Sequence, residues 1–116
     1  EARAMADSDW KAFELEGEIE NQQLSGRPYR EFLRVPALSC GVYTLPRGAK
    51  DLQSPHDEDE VYLVVRGKGR VRVGDEERRI GPGSLLYVRA TSRHSFFEIE
   101  EEVTLLVFFA TGGPNP

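Results

Sequence analysis

The chain is poor in most of the features that would place a small protein outside the cell or in a membrane. With one cysteine, Cys40, in 116 residues, it can close no internal disulfide, and a reducing cytoplasm is the expected setting. No run of about eighteen apolar residues exists to cross a bilayer as a helix. Residues 1–24 lack the apolar core of a secretory leader, so none is expected. Basic residues are not in excess: 15 Lys and Arg against 20 Asp and Glu give a net charge of −5. Nucleic acid needs a clustered positive face, so it is not an expected partner. Internal repeats and low-complexity tracts are also missing. Imidazole is scarce, with His56 and His94 the only two, and that scarcity makes their positions informative.

What is present is an ordinary globular mixture, 39% hydrophobic and 30% charged, on a chain near the commonest single-domain size. A domain this long buries roughly two thirds of its unfolded surface, enough for one core without covalent staples. Residues 1–28 read as an arm or short helix. Asp7-Ser8-Asp9 offers capping side chains ahead of Trp10, Phe13 and Leu15, and Ser25-Gly26 offers a stop. Trp10 and Phe13 are its expected apolar anchors, on a barrel edge or on a second subunit.

From Tyr29 the pattern turns to β, and residues 29–111 are expected to form the domain, with 112–116 a tail. Tyr29 to Val35 alternates, Gly41 to Leu45 follows, and Val61 to Val65 is an apolar run expected of a strand covered on both faces. Arg70–Val73 and Glu76–Ile80 flank Gly74-Asp75, suited to a hairpin. Leu85–Val88, His94–Ile99 and Val103–Ala110 complete the set, with the acidic stretch Glu98 to Glu102 predicted as a turn between the last two. Short strands at regular spacing with Gly and Pro punctuation predict an all-β sandwich or barrel. Arg66, Lys68, Arg70 and Arg72 alternate with Gly and Val, which predicts one solvated strand face.

His56 opens the acidic run His56-Asp57-Glu58-Asp59-Glu60. If that run is extended, His56, Glu58 and Glu60 share one face. Two imidazoles and one carboxylate suit a first-row transition metal and leave positions open for a ligand. By themselves the residues leave two readings open, since His56 could be a solvated loop residue and His94 a hydrogen-bonded barrel residue. Tyr43, Tyr62 and Tyr87 are expected to fill the barrel, and Cys40 to be a small buried apolar group.

The two segments resemble the paired motifs of the cupin superfamily, in particular its small single-domain bacterial members with a conserved barrel. The first family motif reads G-x5-H-x-H-x3,4-E-x6-G. Here Gly48 serves as its opening glycine, His56 falls on the second histidine, Glu60 on the acid and Gly67 on the closing glycine. Ser54 stands where the first histidine belongs. The second motif reads G-x5-P-x-G-x2-H-x3-N, which fits Gly83 and His94 without a gap, with Arg89 for proline, Thr91 for glycine and Glu98 for asparagine. The resemblance implies an antiparallel jelly-roll barrel with a divalent transition metal (Fe, Zn, Mn, Ni or Cu) in its mouth. It assigns His56, Glu60 and His94 as ligands. Gln53, through its amide oxygen, or water would complete the site, and a triad of His56, Glu58 and His94 is the alternative.

The resemblance implies a small-molecule ligand and a homodimer. Two enzymatic readings follow, a dioxygenase-like iron or copper centre and an isomerase-like Lewis-acid centre, because such barrels host both. A non-enzymatic module that binds a metal or a small molecule is the contrasting reading.

Overall fold

The computed structural model describes residues 9–51 and 56–111. Among these described residues, one helix and six strands follow in order: α1 (Leu15–Ser25), β1 (Tyr29–Val35), β2 (Leu38–Leu45), β3 (Glu60–Val73), β4 (Glu76–Ile80), β5 (Leu85–Val88) and β6 (His94–Ala110). The strands form one antiparallel sheet in the order β1-β2-β6-β3-β4, with β5 also on β3. The predicted all-β, antiparallel jelly-roll barrel with a short N-terminal helix is the fold observed.

The two longest strands carry the architecture. Glu60–Val64 of β3 pairs with Leu105–Phe109 of β6, and Arg66–Val73 pairs with His94–Thr104. Within the second stretch β6 takes seven steps, Thr104 to Phe97, where β3 takes four, Arg66 to Arg70. Extra residues on one strand of a pair form bulges, which bend a sheet sharply. The sheet turns a corner there, and its two halves enclose a core that includes Tyr62, Val64, Val71, Phe96, Val103 and Leu105.

Gly67 sits at the corner with φ of 97°, a region open to glycine and costly for other residues. A Cβ at that position would run into the Glu102 carbonyl oxygen and lie 2.6 Å from Val103 Cα.

The structure changes several expectations. The acidic stretch Glu98–Glu102 is no turn: it lies inside β6, because β3 is long enough to pair with both halves, and Glu98 takes a left-handed φ of 47° to absorb the extra residues. The Val61–Val65 run is covered on one face only. Tyr62 and Val64 are buried, whereas Val61 is exposed beside Tyr87 of β5 and Phe108 of β6, its cross-strand partners.

The helix starts later than predicted, at Leu15, with Glu14 as a cap that makes no side-chain hydrogen bond. Its first-turn Glu16 and Glu18 suit the positive end of the helix dipole. Trp10, one expected anchor, is 76% exposed, while Phe13 packs edge-on against Phe32 at 4.9 Å. The buried anchors are Ile19 and Gln22 instead. The Gln22 amide donates to the Arg27 carbonyl at 2.7 Å and accepts from Thr44 Oγ1 at 2.7 Å, fixing α1 to β2.

The basic strand face is solvated as expected. Arg66 pairs with Glu16, Lys68 with Glu101, and Arg70 and Arg72 with Glu77, exposed pairs that contribute little stability each. Cys40 is buried, and desolvation pushes its thiol up to about 11, leaving it protonated and inert as packing.

Candidate functional site

The corner in the sheet places the starts of β3 and β6 opposite one another. Glu60 is the first residue of β3, paired with Val88 on one side and Phe109 on the other. His94 is the first residue of β6, paired with Val73 at the far end of β3. Because the halves fold toward each other, His94 Nε2 lies 3.6 Å from Glu60 Oε1, with both side chains only 1% exposed. His94 Nδ1 donates to the Ser92 carbonyl at 3.1 Å. A carbonyl can only accept, so this contact sets the tautomer and aims Nε2 at Glu60.

His56 arrives by a loop, since β3 begins only at Glu60 and the shared strand face predicted for residues 56–60 does not form. Two contacts hold the loop in place. The Thr91 N–H donates to the His56 carbonyl at 2.6 Å, and the Ala90 N–H donates to the Asp59 carboxylate at 2.7 Å. Thr91 itself has a φ of 65°. Thr91 and Glu98, the two departures from glycine and asparagine in the second motif, thus keep the left-handed backbone that those residues favour.

Ligand atoms of His56, Glu60 and His94 all lie within 4.8 Å of one another, and the two rings are 5.8 Å apart. Glu58 lies outside this cluster, half-buried on the rim. Gln53 and Ser54 fall outside the described residues.

Sequence reasoning treated Tyr62 as barrel filling, yet it stands at the centre of the site. Its hydroxyl donates to Glu60 Oε2 at 2.5 Å and lies 3.0 Å from His94 Nε2, and its ring packs edge-on against Phe96. The signal was available: Glu60 and Tyr62 are two apart, so on one strand they share a face. Tyr87, by contrast, is 63% exposed.

A cavity of about 260 Å³ opens beside the cluster, lined by Tyr29, Tyr43, His56, Tyr62, Val107 and Phe109. Burial pushes the phenols of Tyr29 and Tyr43 well above their ordinary range, with further contributions from Glu31 and Asp51 respectively. The Tyr43 hydroxyl donates to Asp51 at 2.9 Å, and Asp51 also accepts the Phe96 N–H. Tyr29 was not singled out by sequence, because nothing local links it to either histidine.

A curled antiparallel barrel with an imidazole–carboxylate–phenol cluster beside an internal cavity defines a small jelly-roll protein. A family model described as a cupin domain matches residues 41–110, and the chain belongs to that family.

A curated relative, the uncharacterized protein SCO3923 of Streptomyces coelicolor, is 39% identical over 100 residues, covering 86% of this chain and 95% of that one. Among solved structures, KdgF from a Halomonas species superposes with a TM-score of 0.66 at 20% identity, covering 91% and 88% of the two chains. The cupin domain of Schizosaccharomyces pombe Cnp3 gives 0.65 at 21%, covering 72% of this chain and 63% of that one. The DMSP lyase DddQ of Ruegeria pomeroyi gives 0.64 at 19%, covering 92% of this chain and 58% of that one. At such identities the solved structures establish the fold alone. No described helix is long and apolar enough to cross a membrane.

Proposed function

We propose that this cupin is a metal-dependent enzyme that moves a proton on a small organic molecule, with Tyr62 as the proton-carrying group. The carrying observation is the Tyr62 hydroxyl, within hydrogen-bond reach of both Glu60 and His94.

The residues fit a divalent metal. Glu60 is a buried carboxylate whose neighbours include the two imidazoles of His94 and His56. Burying a carboxylate is costly unless it is paired. Two nitrogens and one carboxylate suit zinc, manganese, iron, nickel or copper. His56, Glu60 and His94 would hold the ion, and Gln53 is a further candidate. A metal bound there supplies a Lewis acid for a substrate oxygen. Glu60 holds the Tyr62 proton, His94 is oriented by Ser92, and the aromatic walls exclude water from the reacting carbon. One fold relative, the DMSP lyase DddQ, bears the name of an enzyme, consistent with a barrel able to host catalysis.

The test is proton exchange. Zinc- or manganese-loaded protein in D₂O is offered small ketones, hydroxy-ketones and carboxylic acids, and exchange at the carbon beside the carbonyl is followed by NMR. Tyr62→Phe keeps the ring on Phe96 and, assayed at saturating metal, should lower exchange by about 10²–10⁴-fold, the usual worth of a positioned acid or base. Exchange undiminished in Tyr62→Phe, or dioxygen uptake in its place, would refute the proposal. Saturable binding without turnover on any substrate would favour a non-enzymatic binding module.

We also propose that the protein works as a homodimer. Leu85 and Tyr87 on β5, 69% and 63% exposed, continue across the register to Val61 and Phe108. An apolar patch of this kind beside an edge strand suits a symmetric contact with a second copy. Tyr87→Lys should turn a dimer into a monomer by light scattering, and a wild-type monomer at high concentration would refute the assignment.

A further inference from the structure

Two buried hydroxyl oxygens, Tyr29 Oη and Ser39 Oγ, have no hydrogen-bond partner among the described residues. Buried polar groups are nearly always satisfied, so a pair of orphans points to an occupant. The residues that carry them, Tyr29 and Ser39, border the same void. Beside the 260 Å³ chamber lies a vestibule of about 160 Å³, and Tyr29, His56 and Phe109 border both spaces. Ser39 lines the vestibule and is itself 1% exposed.

The placement of Tyr29 is a built feature. Ser39, Gly41 and Tyr43 alternate along β2, and the Tyr29 ring lies across the strand at Gly41. A Cβ on Gly41 would fall on that ring, 2.6 Å from Cε1. The absent side chain is what lets the phenol lie there.

Charge on the rim narrows the ligand class. Arg34 is held by both oxygens of Glu31, at 3.1 and 2.8 Å, so its charge is already matched. Glu58, also on the vestibule wall, leaves the mouth acidic, and an acidic rim repels a second anionic group on the ligand. The chamber walls are otherwise aromatic and aliphatic, and its volume falls below that of a typical drug-sized pocket.

We propose that Tyr29 and Ser39 form a specificity subsite that receives the neutral hydroxyl or carbonyl end of a compact, largely apolar ligand. This deepens the proposed function and rests on the metal-centre reading only for the opposite end of the ligand, at His56, Glu60 and His94.

The test compares phenol with fluorobenzene, which keeps the ring and lacks the hydroxyl, titrated by NMR into zinc-free and zinc-loaded protein. Phenol should bind about fivefold tighter in both forms, the worth of an ordinary net hydrogen bond. Tyr29→Phe and Ser39→Ala should each reduce that preference, and the double variant should abolish it. The variants should melt no lower than wild type, since each removes an unpaired buried hydroxyl. Benzoate should bind the zinc-free protein more weakly than phenol. Equal affinity for phenol and fluorobenzene in the wild type, a preference surviving in the double variant, or a lowered melting temperature would each overturn the proposal. Zinc dialysis run in parallel separates the two readings: failure to bind zinc would sink the metal centre, while the zinc-free comparison would still decide the subsite.

Discussion

His56→Ala should keep the fold and lose the metal. His56 is half-buried, sits on a loop and makes no strand pairing. Its removal gives up a ring contact with Phe109 at 5.2 Å and one with His94 at 5.8 Å, a cost of about 1 kcal/mol typical of a single substitution. Metal binding should suffer far more. Loss of a mere outer partner of a ligand costs about 10–100-fold in affinity, so removal of a direct ligand should cost on the order of a hundredfold or more.

Equilibrium dialysis against zinc with elemental analysis checks this, and circular dichroism confirms the fold. His94→Ala is a poorer probe, because it also removes the donor to the Ser92 carbonyl and the buried imidazole beside Glu60. Glu58→Gln supplies the contrast: Glu58 lies outside the cluster, so that variant should retain full occupancy. A His56→Ala protein with wild-type occupancy would refute the ligand assignment.

Gly67→Ala should be the most destabilising single methyl in the chain. Two penalties coincide there. The backbone φ of 97° lies in a region that alanine enters only with strain, and the added carbon meets backbone atoms of Glu102 and Val103 that cannot swing away. Overpacking against rigid neighbours costs about 1–3 kcal/mol and backbone strain about as much again, for a total of about 2–6 kcal/mol. Urea denaturation should show the loss as a lower midpoint, and the apo protein should expose apolar surface before the wild type does. Gly81, where a Cβ would meet nothing within 4 Å, is the control: Gly81→Ala should be close to neutral. A Gly67→Ala protein as stable as wild type would show that the corner relaxes and that the close approach is not required.

Much of the fold was legible because its signals are local. The hairpin at Gly74-Asp75 and the strand starts at Tyr29 and Leu85 follow from turn chemistry and alternation. The merging of the last two strands was not legible. It depends on β3 being long enough to pair with both halves of β6, a property of two segments distant in sequence, and four glutamates within five residues look locally like a turn. The late start of α1 escaped for a similar reason: Trp10 and Phe13 carry helix-like spacing, yet the packing that holds the helix comes through Ile19 and a polar Gln22.

At the site, the spacing from Glu60 to Gly67 selected Glu60 over Glu58, and the geometry brings Glu60 together with His56 and His94. Tyr62 could have been found from its two-residue offset. Tyr29 could not, since only the overlay on Gly41 in three dimensions brings it to the chamber.

The corner at Gly67 has one more consequence. Glu60 and Tyr62 belong to one half of the folded sheet and His94 to the other, so no single stretch of chain owns the constellation. Its dimensions are those of a hinge: opening the two halves by a few degrees would separate His94 from Glu60 without altering either residue. Substitutions far from the mouth, at the crease itself, would then retune which ion fits, much as moving the pivot of a pair of pliers changes the gap between its jaws.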